Sequence, residues 1–131
     1  MSKSSLNISD AEWVVMRAVW SLGEASSAQI LEALEKETDW KPRTIRTMIS
    51  RLVKKGALDF REEGREYLYR ACIDEKSSEQ VVSRKFLDRI FDGRLAPFVA
   101  TFVESGNYSD DDIAELKKIV EKHTASGKEK A

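Results

Sequence analysis

Between Trp40 and Gly56 the chain reads WKPRTIRTMISRLVKKG. Six of these side chains are cationic (Lys41, Arg43, Arg46, Arg51, Lys54, Lys55), three are hydroxylic (Thr44, Thr47, Ser50), and none is acidic. A guanidinium presents a planar fork of donors that matches phosphate oxygens and the acceptor edges of bases. A threonine adds a hydroxyl and a methyl group that can touch the methyl of thymine. The chemistry within reach of such a set is the holding and reading of a polyanion, with no bond made or broken.

The spacing sorts these residues onto two sides. At about 100° per residue of helix, Ile45, Met48, Ile49, Leu52 and Val53 fall in one arc. Arg43, Thr44, Arg46, Thr47, Ser50, Arg51, Lys54 and Lys55 fall in the other. An α-helix fits the major groove of a DNA duplex. Arg43, Thr44, Thr47 and Arg51 are placed to enter it; Arg46 and Ser50 lie further round, towards base edges or phosphates; Lys54 and Lys55 suit phosphate. Trp40 and Pro42 start the helix and can lean on the backbone of one strand, while Arg65, at a hairpin tip, can meet phosphate or the minor groove. The plain alternative is a solvated helix face, and a second alternative is an acidic protein partner. Against the first stands the lack of any acid in the segment to form i,i+4 pairs, since like charges along one side repel unless an anion neutralises them.

No other group of residues carries chemistry. His123 is the one histidine and Cys72 the one cysteine, so neither a metal site nor an internal disulfide is expected. No Gly-rich phosphate loop, nucleophile elbow or zinc spacing occurs. Neither an enzyme nor a cofactor-binding protein is expected.

Charge is unevenly spread. The net formal charge is −1. Residues 1–40 hold 3 basic and 7 acidic side chains, residues 41–70 hold 9 and 4, and residues 71–131 hold 10 and 12. One basic segment inside an acidic chain points to a localised anionic partner. No 18-residue apolar run occurs, and the opening MSKSSLNISD lacks the apolar stretch of a signal peptide. A cytoplasmic protein without membrane insertion is the expectation.

The elements that must position the basic helix follow from caps and periodicity. Ser9-Asp10-Ala11-Glu12 is a capping box, and Trp13, Met16 and Trp20 recur at helical spacing until Gly23. Ser26 or Ser27 caps a second helix bearing Ile30, Leu31 and Leu34, closed by Thr38 and Asp39. Pro42 and Gly56 bound the third. Strands follow at 58–61 and 66–71, joined by a turn over 62–65 in which Gly64 supplies positive φ. Three helices and a hairpin are the order of a winged helix-turn-helix.

Three more helices are expected beyond, from about Asp74, from about Arg94, and from Ser109. Their apolar positions are Phe86, Ile90, Phe91, Leu95, Phe98, Val99, Phe102, Val103, Ile113, Leu116, Ile119 and Val120. Three short helices bury little by themselves, so these residues are expected to pack against a second copy in a homodimer, or else against the first domain. The expected fold class is mostly α with a small β-hairpin: a winged helix-turn-helix over 1–73, a three-helix dimerisation domain over 74–125, and a polar tail over 126–131.

The chain resembles the penicillinase repressors of BlaI/MecI type, which have the copper-responsive CopY repressors as relatives. The resemblance is carried by ISDAEWVVM (8–16), the block running from Trp40 to Leu58, EGREYLY (63–69) and FLDRIFDG (86–93). It implies a dimeric winged-helix repressor on an inverted-repeat operator in double-stranded DNA. It also implies a membrane-bound sensor protease as partner, cutting within the dimerisation helices. The corresponding bond here is Thr101-Phe102, where the best-known members carry Asn before the Phe. The Cys-x-Cys pair of the copper branch is absent from this C-terminus, which ends SGKEKA.

Overall fold

The computed structural model describes residues 7–130, with side chains as far as residue 124. Helix α1 spans Asp10–Leu22, and its capping box forms as expected. Glu12 N–H donates to Ser9 Oγ at 3.1 Å while Ser9 N–H donates to Glu12 Oε1 at 2.9 Å. Strand β1 (Glu24–Ser26) follows, then α2 (Ser27–Glu35), α3 (Pro42–Lys55), β2 (Leu58–Glu63) and β3 (Glu66–Ala71). Helix α2 opens on a second capping box, in which Ser26 and Gln29 exchange bonds of 2.8 and 3.2 Å. Beyond lie α4 (Glu75–Phe91), α5 (Leu95–Ser105) and α6 (Asp110–Lys130).

The sheet holds one strand more than the expected hairpin. Its order is β1-β3-β2, all antiparallel, with Ala25 opposite Tyr69 and Phe60 opposite Tyr69 on the other side. Three residues are too few to show an alternating pattern, so β1 had no signature of its own. The hairpin loop is also tighter than expected. Glu63 pairs with Glu66, leaving Gly64 and Arg65 as the two loop residues. Gly64 has φ 63°, while Arg65 is not among the positive-φ residues; a type II′ turn requires that combination.

The chain divides into two compact units, Met1–Ser83 and Arg84–Ala131. The change falls inside α4, ten residues beyond the expected boundary after residue 73, because Ile73 and Ser78 are buried with the first unit. The first unit is a winged helix-turn-helix. Its core is built from Val15, Met16 and Val19 of α1, Ile30 and Leu34 of α2, Ile45, Ile49 and Leu52 of α3, and Leu58 of β2. Trp20 Nε1 donates to the Ile73 carbonyl at 3.0 Å, tying the far end of α1 to the chain entering α4.

The second unit contains a cluster of phenylalanine rings. Phe98 lies edge-on to Phe86, Phe91 and Phe102, with centroids 5.9, 5.5 and 5.2 Å away. Yet no hydrophobic side chain of this unit is buried among the described residues. Leu95 is 62% exposed, Ile90 55% and Phe102 53%. Ser109 and Asp112 form a capping box at the start of α6. That helix continues to Lys130, so the backbone over most of the expected tail is helical, and the side chains there lie outside the described residues. No helix among the described residues is long and apolar enough to cross a membrane.

Candidate nucleic-acid interface

The turn between α2 and α3 is fixed by one hydroxyl. Thr38 donates both its N–H (2.8 Å) and its Oγ1 (3.0 Å) to the Leu34 carbonyl, and Trp40 N–H donates back to Thr38 Oγ1 at 3.3 Å. Pro42 then occupies the first helical position of α3, where a missing N–H costs nothing. At the other end Gly56 takes the left-handed conformation with φ 84°, and Ala57 N–H closes onto the Leu52 carbonyl at 2.9 Å. Helix α3 is thus cut to length at both ends.

Its two sides divide as the spacing implies. Ile45, Met48, Ile49 and Leu52 are buried. Pro42, Arg43, Thr44, Arg46, Thr47, Ser50, Arg51 and Lys54 are exposed along the opposite side. Among the described residues none of Arg43, Arg46, Arg51 and Lys54 enters an ion pair within the chain. Thr47 Oγ1 donates to the Arg43 carbonyl at 2.9 Å. With its proton committed, that hydroxyl can only accept from a partner, and its methyl group stays free.

Two members of the expected set stand elsewhere. Lys55 differs from the others: its ammonium contacts Glu12 Oε1 at 2.5 Å and the Asn7 carbonyl at 2.8 Å, so it is engaged within the protein. Trp40 is half-buried and packs against the core. Arg65 does sit in the hairpin loop and is exposed, but Glu62, Glu63 and Glu66 surround it in sequence.

Sequence reasoning placed Glu12 in the capping box but missed its pairing with Lys55. It is 3% exposed and lies 43 residues from Lys55, so local spacing held no sign of the pair. Burial works against its charge, but the hydrogen bond from Lys55, those from Ser9, and the ammonium's field prevail and hold the carboxyl below its ordinary range.

The remaining hairpin cations are also spent. Arg61 donates to both oxygens of Glu24 at 2.9 Å and to Glu63 as well, and Arg70 lies 3.6 Å from Asp59. The hydrogen bond from Arg61 is the chief cause of a lowered Glu24 carboxyl, and the two glutamates raise the Arg61 guanidinium. Among the described residues the basic character of residues 41–70 is therefore unpaired at Arg43, Arg46, Arg51 and Lys54 on α3 and largely neutralised on the sheet.

Thr101 and Phe102 lie within α5, both exposed, with Thr101 Oγ1 donating to the Pro97 carbonyl at 2.8 Å.

A winged helix-turn-helix with an exposed, acid-free cationic helix defines a broad class, and comparison with known proteins narrows it. The model of the family described as penicillinase repressor matches residues 8–122. The chain is 40% identical over 122 residues to the penicillinase repressor of Bacillus licheniformis, covering 93% of this chain and 95% of that one. It is 35% identical to the methicillin resistance regulatory protein MecI of Staphylococcus aureus (strain N315), covering 93% and 99%. The solution structure of the DNA binding domain of the repressor BlaI superposes with a TM-score of 0.51 at 42% identity, over 54% of this chain and 87% of that one. A MarR mutant from E. coli, solved with operator DNA, superposes with a TM-score of 0.53 over 92% of this chain and 78% of its own; at 18% identity this shows a shared fold alone. The chain belongs to the penicillinase repressor family.

Proposed function

We propose that this protein is a dimeric, sequence-specific DNA-binding repressor of transcription acting in the cytoplasm. The observation that carries this is the exposed side of α3, where Arg43, Arg46, Arg51 and Lys54 have no ion-pair partner among the described residues. Helix α3 enters the major groove, Arg43, Thr44, Thr47 and Arg51 meet base edges, and Arg46, Ser50 and Lys54 take bases or phosphates. Pro42 lies at the N-terminal end of this face, and Arg65 reaches the backbone from the hairpin.

Two copies read the halves of an inverted repeat, their α3 helices about 34 Å apart along the duplex. The unburied apolar surface of the second unit, from Phe86, Ile90 and Leu95 to Phe102, Ile119 and Val120, supports pairing through that unit. Phe91, Phe98, Val99, Val103, Ile113 and Leu116, each half-buried, complete the surface. Joining two half-site contacts raises affinity without any new contact. Occupied DNA then denies polymerase the promoter, and cutting α5 at Thr101-Phe102 by a membrane sensor protease would release it. Thr101, standing where the best-known members have Asn, favours a second version in which the repressor answers another signal uncut.

The decisive experiment is a titration of the full chain with random duplex DNA at 50 mM salt, followed by enrichment from a random-sequence pool. Binding at low salt and recovery of an inverted repeat are expected. No binding at low salt would remove the proposal.

A further inference from the structure

Resting on the DNA-binding role just proposed, we infer that Glu12 is a positioning residue for the reading helix. It pins the C-terminal end of α3 to the first turn of α1 through Lys55. Glu12 Oε1 accepts from two donors at once, the Ser9 N–H at 2.9 Å and the Lys55 ammonium at 2.5 Å. The same ammonium donates to the Asn7 carbonyl at 2.8 Å. One lysine thus closes a knot of Asn7, Ser9 and Glu12, and the carboxylate at its centre is buried while the Lys55 side chain is 35% exposed.

Among the described residues no other hydrogen bond or ion pair joins α1 to α3, and both helices feed one apolar core, Val15 and Met16 from α1 and Ile49 and Leu52 from α3. Apolar contact is nondirectional. It keeps the two helices together but sets the roll of α3 about its own axis only loosely. A charge-assisted hydrogen bond has both a length and a direction, so the Glu12–Lys55 bond supplies the missing constraint. A roll of about 20° displaces a group on the side-chain surface, at a radius of about 6 Å, by on the order of 2 Å. Phosphate contacts tolerate that shift; hydrogen bonds to base edges do not. Glu12 touches no DNA in this scheme, and its effect falls on discrimination more than on general attraction.

The test compares the wild-type chain with Glu12→Gln, Lys55→Met and the double variant, each first confirmed folded by circular dichroism. Dissociation constants are measured between 50 and 200 mM salt for two probes: a duplex enriched by the wild type from a random pool, and poly(dI-dC). Glu12→Gln is expected to weaken the enriched duplex about tenfold while leaving poly(dI-dC) within twofold. Lys55→Met is expected to do the same with an unchanged salt slope, and the double variant to be no worse than the worse single one. A salt slope falling by about 0.9 in Lys55→Met, with Glu12→Gln silent, would make Lys55 a phosphate contact and overturn the inference. Equal loss on both probes would reduce the pair to a purely structural role and overturn it too. Wild type enriching no duplex would overturn the DNA-binding role and this inference together, whereas wild-type binding with unaffected variants overturns this inference alone.

Discussion

Arg61 on β2 grips Glu24 on β1 through two bonds of 2.9 Å, reaching over β3, which lies between the two strands. A three-residue strand has few backbone bonds to hold it, and this side-chain clasp fastens it from the far side of the sheet. The clasp also decides where charge is available. With Glu63 on the same guanidinium and Arg70 beside Asp59, that face of the sheet is neutralised internally. The four cations of α3 without partners among the described residues are left as the concentrated positive surface.

Arg61→Ala is therefore expected to leave affinity for an enriched duplex within about twofold. Amide hydrogen exchange in Glu24–Ser26 should speed up. A tenfold loss of affinity would assign the hairpin cation to DNA after all.

Arg51→Ala and Thr47→Ala should each lose about 1–3 kcal/mol of discrimination between bases. Thr47→Ser keeps the oxygen and loses the methyl, so the two threonine variants separate an accepted hydrogen bond from a methyl contact. Unchanged base preference in a binding titration would remove either residue from the reading set.

Arg51 and Thr47 both lie on α3, and α3 is where sequence was most informative. Pro42, Gly56 and a clean division of apolar from cationic positions are local signals, and all lie within one helix. The capping box at Ser9 was legible for the same reason. Strand β1 was not, because its identity comes from a partner 44 residues away: Ala25 pairs with Tyr69. The fate of Lys55 was hidden likewise, since its acid belongs to another helix. Charge counted along the chain located the basic segment correctly but could not show which of its cations were already paired.

Phe98→Asp and Phe102→Asp should each give a monomer that keeps a folded first unit, because among the described residues the hydrophobic core of that unit takes no side chain from beyond Ile73. Sedimentation checks the mass and circular dichroism the fold. A surviving dimer would show that copies pair through another surface.

Acid should weaken the first unit through Glu12. Its carboxyl is lowered from 4.5 in the folded chain, so it contributes stability that is fully present above that value. The contribution is lost as pH falls through the lower folded-state value. Urea midpoints measured at pH 7 and pH 3 should therefore differ more for the wild type than for Glu12→Gln. An identical drop in both would clear Glu12 of any part in the acid response.

Among its described residues the second unit closes no interior around its phenylalanines, and that has a cost beyond the molecule. If a second copy supplies the missing cover, order there is on loan from a neighbour and follows mass action. Dilution would then loosen this half as surely as heat does, and the number of copies a cell keeps would set both how well the promoter is guarded and how long each chain stays intact.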